Sequence, residues 1–391
     1  MEQKLVALSG NEAVAYAFKQ ALPHVAAVFP ITPQTEMMHK YAEFVANGES
    51  DTEMILVESE HSAMSAAVGA SAAGARTFTA TSSAGFALMW EVVYIAASLR
   101  LPICMAMVNR ALSGNINIHC DHSDSMGGRD AGWIHLFAEN AQEAYDNAIM
   151  SWRIAEHMDV RLPVMVNYDG FIISHTADAL KMLPDDVAYK FIGKFKPHYA
   201  LLDVENPITV GPLDLTDYYF EHKASQLAAY PKALEIIKKV SDEFGDLTGR
   251  YYDHCEEYMM DDAEMVMVML GSSAGTAKDV IDEYREKGVK VGLLKIRTFR
   301  PFPFEYMAKV LAGRKAVCVL DRSASFGGQG GPVFMELRHA MYGQKVPIHS
   351  YIYGLGGRDF DLHQVETVIN DLQKVAAGGE MNDINLLGIR S

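Results

Sequence analysis

Residues 54–83 read MILVESEHSAMSAAVGASAAGARTFTATSS, and this stretch decides the fold. Two apolar runs, at 54–57 and 77–81, have the composition of buried strands, and the Ala-rich segment 60–73 between them has the composition of a helix. A strand, a helix and a second strand in this order predict a βαβ unit with parallel strands. The small side chains of the helix would let another backbone approach closely, although an ordinary Ala-rich helix is an equally good interpretation.

The same alternation of apolar runs and helical stretches extends to about residue 170. Further strands are predicted at 25–29, 103–108 and 164–167, and further helices at 36–46, 86–98 and 141–158. Because the strands are dense in Val, Ile, Ala or Met, they suit a parallel sheet that helices cover on both faces.

The alternation fades over 174–249, where prolines interrupt a polar stretch, and we interpret this segment as an extended connection with one helix at 232–244. Near residue 263 the alternation resumes. Strands are then predicted at 264–270, 289–295 and 316–320, and helices at 276–287 and 304–311. The sequence therefore predicts two α/β domains, a larger one at 1–250 and a smaller one at 251–391.

Composition and charge limit the classes of function. The chain has 391 residues, 49% of them hydrophobic, and a net charge of −16. Such an acidic chain does not supply the basic surface that nucleic-acid binding requires. No apolar run reaches the roughly 18 to 20 residues that span a bilayer, and the first residues do not resemble a secretory signal. We therefore expect a cytoplasmic protein without a nucleic-acid or membrane partner.

The four cysteines are far apart in the sequence, at Cys104, Cys120, Cys255 and Cys318. This spacing indicates neither a disulfide framework nor a closely spaced metal site. Because no C-x-x-C occurs, the chain is not expected to hold an iron–sulfur cluster through a C-x-x-C-x-x-C run. Any redox cluster is expected on a partner chain.

Polar motifs follow four of the predicted strands, at the point where each strand ends. They are PITPQ, ESEHS, TSSAG and VNRAL, centred on Thr32, Glu60, Ser82 and Arg110, with separations of 28, 22 and 28 residues. Each interval accommodates one helix and one strand. Because the ligands of open parallel sheets gather beyond the carboxyl ends of the strands, we expect all four motifs at one rim.

Each candidate residue also has an ordinary structural explanation. Thr32 precedes a proline that would fix its orientation, but Thr followed by Pro is typical of a helix N-cap, which the sequence alone favours. Glu60 could share a proton with a ring nitrogen if it is buried, whereas a carboxylate at a helix start is also stabilised by the helix dipole. Arg110 could hold a substrate carboxylate through two hydrogen bonds or pair with a surface acid.

The segment GNINIHCDHSDSMGGRDAGW (114–133) contains a polar cluster of His119, Cys120, Asp121, His122 and Asp124. Its members are too close together in sequence for the usual tetrahedral zinc spacings, so a long polar loop over the site is a better interpretation than a metal centre. Further turns are predicted at 169–171 and in the Gly-rich stretch 321–331. Neither has the context of a G-x-G-x-x-G motif, so a nicotinamide site is poorly supported.

Several stretches of this sequence resemble the alpha subunits of the 2-oxoacid:ferredoxin oxidoreductase family, and those of the pyruvate enzymes in particular. These stretches are PITPQTEMM, ESEHSAMSAAVGASAAGARTFTATSS, VNRA, DHSDSMGGRDAGW, LPVMVNYDGFIISHT, KIRTFRPFP and GLGGRD. The resemblance covers nearly the whole chain. It implies a thiamine diphosphate-binding fold, with a pyrimidine-type domain followed by a smaller domain like the transketolase C-terminal domain. The chain contains no G-D-G, so the resemblance implies that a partner chain holds the diphosphate and Mg²⁺.

The resemblance also implies roles and partners. Glu60 corresponds to the glutamate that hydrogen-bonds the aminopyrimidine ring of the shared cofactor, and Thr32 and Arg110 correspond to substrate-contacting residues. The implied reaction is the reversible conversion of pyruvate to acetyl-CoA and CO2 with reduction of ferredoxin, and coenzyme A is a co-substrate. The implied partners are a beta subunit that binds thiamine diphosphate and Mg²⁺, gamma and delta subunits with iron–sulfur clusters, and ferredoxin, which docks through them.

Other functions stay open at this point. The substrate could be another 2-oxo acid, such as 2-oxoisovalerate, 2-oxoglutarate or oxalate; a dicarboxylate would need a second cationic group beside Arg110, which Thr32 does not supply. A noncatalytic assembly subunit would use the small-residue helix and an acidic face only to bind partners. A nicotinamide-dependent dehydrogenase is a weaker third hypothesis.

Overall fold

Strands and helices alternate through the first part of the chain in the computed structural model, which describes residues 3–390. The strands are β1 (Lys4–Ser9), β2 (Val25–Val28), β3 (Glu53–Leu56), β4 (Thr77–Thr81), β5 (Cys104–Asn109), β6 (Ile134–Phe137), β7 (Val164–Asp169) and β8 (Ala177–Met182). The helices are α1 (Gly10–Gln20), α2 (Thr35–Ala46), α3 (Glu60–Ala72), α4 (Ser83–Leu88), α5 (Trp90–Ser98), α6 (Ser123–Gly127), α7 (Ala141–Glu156), α8 (Asp185–Ile192), α9 (Tyr219–Leu227) and α10 (Ala229–Thr248).

The same alternation continues in the second part of the chain. The strands are β9 (Cys255–Tyr258), β10 (Met265–Met269), β11 (Val291–Ile296), β12 (Thr298–Arg300), β13 (Ala316–Asp321), β14 (Ile348–Ile352) and β15 (Ile384–Leu386). The helices are α11 (Ser273–Glu286), α12 (Phe304–Leu311), α13 (Pro332–Ala340) and α14 (Leu362–Ala376), with a 3-10 turn at Leu355–Gly357.

Two mainly parallel sheets organise these elements. The first has seven strands in the order β12-β6-β7-β5-β4-β2-β3, all parallel except that β12 is antiparallel to β6. The second has six strands in the order β15-β14-β13-β10-β11-β9, and here β9 is the antiparallel strand. This arrangement confirms the α/β class and the parallel sheet predicted from the sequence.

The first sheet is buried on both faces. Ala26 and Ala106 belong to an apolar layer that includes α1, α2 and α7, and their neighbours Ala27 and Met105 belong to a layer that includes α3 and α5. Since both faces meet helices in the centre of the sheet, every residue of β4, β5 and β7 is buried, and most of these residues are apolar or small.

The predicted elements agree with the structure to within a few residues, whereas α1, α13, α14 and β14 were not predicted, nor were several short or edge elements. β1 and β8 form a separate antiparallel pair in which half of the residues are exposed, and β6 has only four residues. The helix predicted at 86–98 is instead two helices, α4 and α5, which meet at Met89. The segment interpreted as a connection contains α8 and α9 in addition to the expected helix, now α10.

The direction of the chain reverses across the first sheet between β2 and β4. The chain passes from β2 to β3 on one side and then to β4 on the other side of β2. Ligands of open α/β sheets bind in the crevice beyond the carboxyl ends of the strands at such a point. The motifs with Thr32 and Ser82 follow these two strands directly.

The two sheets are joined through β12. This strand comes from the second part of the chain, yet it pairs with β6 of the first sheet, with Thr298 opposite Leu136. The boundary near residue 250 stays a prediction, and it lies in the short link between α10 and β9. Over residues 3–390, no helix is both long enough and apolar enough to cross a membrane.

Candidate active site

Glu60 is the first residue of α3, and its side chain is buried, with 6% exposed. The helix is capped by Ser59, whose hydroxyl accepts a hydrogen bond from the backbone N–H of Ser62 at 3.2 Å. Within residues 3–390, no side chain or backbone group forms a hydrogen bond or ion pair with the Glu60 carboxylate. A buried carboxylate of this kind is available to a hydrogen-bond donor that approaches the rim.

Gly85 makes room for the Glu60 side chain. A Cβ atom at residue 85 would lie 2.6 Å from Oε1 of Glu60 and 2.6 Å from Oγ1 of Thr81. Oγ1 of Thr81 and Oγ of Ser82 are also buried without a hydrogen-bond partner in the part of the chain described. The Glu60 carboxylate and two hydroxyls at the end of β4 can therefore each accept a hydrogen bond, and the absence of a side chain at Gly85 is what lets Glu60 approach them.

Arg110 connects the ends of β2 and β5. Its side chain is 7% exposed, its Nη1 donates to the backbone oxygen of Thr32 at 2.8 Å, and its Nε donates to the backbone oxygen of Asn117 at 3.1 Å. Arg110 is therefore not the surface arginine paired with an acid that was one of the two interpretations. Nη2 has no hydrogen-bond acceptor among the described residues, so this nitrogen can bind a substrate carboxylate.

Thr32 does not cap α2, contrary to the interpretation that the sequence favoured. Gln34 occupies the N-cap position, and the backbone N–H groups of Gln34 and Thr35 both donate to the carbonyl of Ile31 in a turn that precedes the helix. Because this turn separates Thr32 from α2, its side chain is exposed at the rim while its carbonyl accepts from Arg110.

Asp124 ties the ends of β4 and β5 together. Its buried carboxylate accepts hydrogen bonds from the backbone N–H groups of Ser83 at 3.0 Å and Arg110 at 2.9 Å, and from Nδ2 of Asn109 at 3.0 Å. Burial raises the pKa of Asp124 to about 6, and these donors partly oppose the rise. The helix α6, which carries Asp124, therefore fixes the backbone on which Arg110 stands.

The loop after Arg110 is attached to the second part of the chain. Nδ2 of Asn117 donates to the carbonyl of Gly356 at 2.9 Å, and the N–H of Gly356 donates to Oδ2 of Asp121 at 3.0 Å. Gly356 belongs to the GLGGRD motif that follows β14. The two motifs, 235 or more residues apart in sequence, thus meet at the rim.

A buried charged network lies beneath this loop. Asp169, at the end of β7, accepts hydrogen bonds from Nη1 of Arg322 at 3.0 Å and from both groups of Ser272, and it contacts Nε2 of His122 at 2.7 Å. Although burial alone would raise the pKa of Asp169, His122 and Arg322 together hold it well below its usual range. The network joins strand ends of both sheets.

The same network shows whether the polar cluster at 119–124 is a metal site. Donor atoms of Cys120, His122 and Asp169 lie within 4.8 Å of one another, as a metal site would require. However, the positively charged guanidinium of Arg322 already forms an ion pair with Asp169. Burial also raises the pKa of the Cys120 thiol well above its usual value. A protonated thiol beside a fixed cation disfavours metal binding, and the arrangement is that of an ion-pair network.

A second charged cluster crosses between the sheets near the carboxyl ends of β6 and β11. Nζ of Lys295 contacts Glu139 and Glu143 at 2.5 Å and Glu256 at 2.6 Å, and Lys278 contacts Glu139 at 2.8 Å. Although burial alone would lower the pKa of Lys295, the three carboxylates raise it above its usual value. Since the lysines already neutralise the carboxylates, this cluster holds the two parts of the chain together.

Several residues of the site were not found by sequence reasoning. Asn117 and Arg322 lie in segments for which only a polar loop and a turn were predicted, and Asp124, named there as part of the polar cluster, lies in the short helix α6. One signal was present for Asp169, because it directly follows the apolar part of a strand, as do the four motifs that were selected. The contacts of Asn117 and Arg322 depend on how the second sheet packs, and no local pattern indicates that.

The fold and the strand-end rim define the class of the protein. Its structure is similar to a 2-oxoglutarate:ferredoxin oxidoreductase from Magnetococcus marinus, with a TM-score of 0.71 and 20% identity over 96% of this chain and 66% of that chain. It is also similar to a split gene transketolase, with a TM-score of 0.54 and 12% identity over 95% and 99% of the two chains. Both similarities concern the fold alone, and they agree with the predicted fold class.

Sequence comparisons then give the family. The family model described as pyruvate flavodoxin/ferredoxin oxidoreductase, thiamine diP-bdg, matches residues 16–242, and that of pyruvate:ferredoxin oxidoreductase core domain II matches residues 263–365. The chain is 56% identical to a pyruvate synthase subunit PorA from Thermotoga maritima over 94% of both chains. It is 45% identical to a ketoisovalerate oxidoreductase subunit VorA from Pyrococcus abyssi, over 96% of this chain and 95% of the relative. The chain belongs to the pyruvate:ferredoxin oxidoreductase family, as an alpha subunit.

The residues at the rim fit the pyrimidine half of thiamine diphosphate. An aminopyrimidine ring offers a nitrogen that can share a proton with a carboxylate, and Glu60 is a buried carboxylate without a partner in the described chain. The unpaired hydroxyls of Thr81 and Ser82 lie near this carboxylate and suit a polar ring. These groups would hold the pyrimidine end of the cofactor.

Proposed function

We propose that this chain is the alpha subunit of a pyruvate synthase, which converts pyruvate and coenzyme A to acetyl-CoA and CO2 and passes two electrons to ferredoxin, reversibly. Relatives named as pyruvate synthase subunits match nearly the whole chain, at up to 56% identity among those compared. The observation that carries the proposal is the rim itself, where a buried, unpartnered Glu60 and a fixed Arg110 follow strands of one sheet.

Three residues have separate tasks in this proposal. Glu60 holds the aminopyrimidine ring through its carboxylate and shares a proton with it. Arg110 binds and orients the carboxylate of the substrate through its free Nη2, and the exposed hydroxyl of Thr32 donates to the 2-oxo oxygen. When bound, thiamine diphosphate supplies the nucleophile and electron sink that decarboxylation of a 2-oxo acid needs.

The remaining chemistry is assigned to partner chains. A beta subunit holds the diphosphate and Mg²⁺, because this chain contains no G-D-G, and gamma and delta subunits carry the iron–sulfur clusters, because it contains no C-x-x-C. Ferredoxin docks on those subunits, since an acidic carrier is repelled by a chain with a net charge of −16. The complex is cytoplasmic, in agreement with four free cysteines.

The contacts of Arg110 favour a monocarboxylate substrate. Its guanidinium bonds the backbone of Thr32 and Asn117, and its own N–H bonds Asp124, so none of these neighbours is cationic. A second carboxylate, as in 2-oxoglutarate, would gain no ion pair from them. The similarity to ketoisovalerate oxidoreductase subunits makes 2-oxoisovalerate the second candidate substrate.

Glu60→Gln in the assembled complex tests the catalytic role. Glutamine keeps the size of the side chain but cannot share a proton in the same way, so we expect pyruvate-dependent ferredoxin reduction to fall about 10²- to 10⁴-fold while the subunits still co-purify. Glu58→Gln, two residues earlier and exposed, is the matched control and should retain full activity. Unchanged turnover in Glu60→Gln would leave this chain as an assembly subunit.

A substrate panel tests the specificity. The wild-type complex is assayed for coenzyme A-dependent ferredoxin reduction with pyruvate, 2-oxoisovalerate, 2-oxoglutarate and oxalate. We expect the highest kcat/KM with pyruvate. A higher value with 2-oxoisovalerate would transfer the assignment to the branched-chain enzyme, and a higher value with 2-oxoglutarate would contradict the interpretation of the Arg110 contacts.

A further inference from the structure

Asn117 links the second part of the chain to Arg110, and we propose that Asn117 is a positioning residue for the carboxylate of the 2-oxo acid. The inference rests on the proposed function, in which Arg110 binds that carboxylate. The backbone oxygen of Asn117 accepts from Nε of Arg110 at 3.1 Å, and its side-chain Nδ2 donates to the carbonyl of Gly356 at 2.9 Å. One residue therefore holds the guanidinium with its backbone and the GLGGRD motif with its side chain.

The loop around Asn117 has few other attachments in the described chain. Its neighbours 112–116 and 118–119 are exposed, whereas Asn117 is half-buried. The ends of the loop are tied by hydrogen bonds from the N–H of Ala111 to the carbonyl of His119 and from the N–H of Leu112 to Oγ of Ser123. Oδ1 of Asn117 accepts from the N–H of His119 at 2.7 Å, which fixes the direction of the amide. The bond to Gly356 is thus the anchor for the middle of the loop.

Gly356 is shaped to receive this amide. Its φ is +62°, and a Cβ atom there would lie 2.4 Å from Nδ2 of Asn117. At Gly357, with φ of +78°, a Cβ atom would lie 2.3 Å from Cβ of His119. Since side chains at these positions would push the loop away, both glycines are required for its close approach to the second part of the chain.

The consequence for Arg110 follows from the shape of its guanidinium. A planar group binds a carboxylate well only when its plane is fixed, and two backbone oxygens, of Thr32 and Asn117, fix it here. Without the Gly356 anchor, the Asn117 oxygen moves and the plane can rotate. Substrate binding is weakened as a result, whereas Glu60, on α3, keeps its position and the chemical step changes less.

The test is steady-state kinetics of the assembled complex. Asn117→Ala and Asn117→Asp both remove the donor to Gly356, and we expect the KM for pyruvate to rise about tenfold, the effect of about one net hydrogen bond, while kcat and the KM for coenzyme A change less than about twofold. Asn115→Ala, in the same loop but exposed, is the matched control and should behave as wild type. Gly356→Ala should reproduce the defect with Asn117 intact, and it replaces the Asn117 variants if those do not assemble.

A double-mutant cycle separates positioning from a general structural effect. Arg110→Lys lacks the planar fork, so adding Asn117→Ala to it should raise the KM further by less than about twofold. The assignment is overturned if Asn117→Ala changes the KM no more than Asn115→Ala does. It is also overturned if the rise in KM of the double variant equals the product of the rises caused by Asn117→Ala and Arg110→Lys alone. If the wild type prefers a different 2-oxo acid, the KM of that acid is used. A wild-type complex that turns over no 2-oxo acid would overturn the proposed function first.

Discussion

Gly85 controls the position of Glu60 more directly than any charged neighbour does. We predict that Gly85→Ala lowers kcat at least about tenfold, because the new Cβ atom would lie 2.6 Å from Oε1 of Glu60 and must displace the carboxylate. The helix itself should tolerate the change, since alanine favours helix formation. The measurement is pyruvate-dependent ferredoxin reduction by the assembled complex. Gly127→Ala is the control, because a Cβ atom there meets nothing within 4 Å, and equal activity of the two variants would contradict the prediction.

At this scale, the sequence predicted residues whose position depends on a strand end. Thr32, Glu60 and Arg110 each follow a strand of the first sheet, and parallel strands bring such residues to one rim whatever the rest of the chain does. Asn117 could not be predicted, because its partner Gly356 is 239 residues away and the contact exists only after the second sheet has packed. The prediction that Thr32 is an N-cap was wrong because a turn held by backbone hydrogen bonds separates Thr32 from α2.

The strand pair β6–β12 joins the two sheets and contains an unusual buried histidine. His135 lies opposite Arg300, is fully buried, and has no hydrogen-bond partner for either ring nitrogen in the described chain. Burial, with a smaller effect of the Arg300 charge, lowers the pKa of His135 to about 3. The histidine is neutral in the folded protein at physiological pH.

This histidine predicts acid sensitivity. Because the folded pKa is below the unfolded value of about 6.5, the unfolded state binds the extra proton, so stability is complete above pH 6.5 and falls as the pH drops towards 3. Between pH 8 and pH 5 the loss from His135 is about 2 kcal/mol. In chemical denaturation of the purified chain, His135→Leu should lack this part of the pH dependence, and His39→Gln, an exposed control, should retain it. An identical pH profile for His135→Leu and wild type would contradict the prediction.

Among the elements, burial helped but did not decide which ones the sequence revealed, since the buried strand β14 and the 15-residue helix α14 were not predicted. β4 was predicted with its observed bounds because all five residues are buried between helices, and helix 304–311 was likewise correct. β1 was missed because half of its residues are exposed, and β12 was missed because three residues are too few to show a periodicity. The division of helix 86–98 has no sequence signal that we could use, since residues on both sides of Met89 are apolar.

At the scale of the whole molecule, the proposed function gives this chain one half of a cofactor site. Glu60 would receive the pyrimidine end, whereas no G-D-G is present to hold a metal-bound diphosphate. The chain also exposes large apolar side chains over 199–220, including Leu202, Val204 and Leu213. Exposed apolar surface of this kind marks contacts with other chains, in agreement with a subunit that works only in a complex.

The proposed division of the cofactor between two chains makes the binding of thiamine diphosphate depend on the partner. We predict that the isolated chain binds thiamine diphosphate with Mg²⁺ at least about a thousandfold more weakly than the complex does. The reason is that an acidic chain repels the doubly charged diphosphate when it has no site to hold the metal beside it. Isothermal titration calorimetry of the chain alone and of the cofactor-depleted complex measures this difference. In the complex, Glu60→Gln should weaken binding by less than about a hundredfold, since it affects only the pyrimidine end. Stoichiometric, tight binding by the isolated chain would show that the diphosphate site lies here after all, and the division of the cofactor between two chains would be wrong.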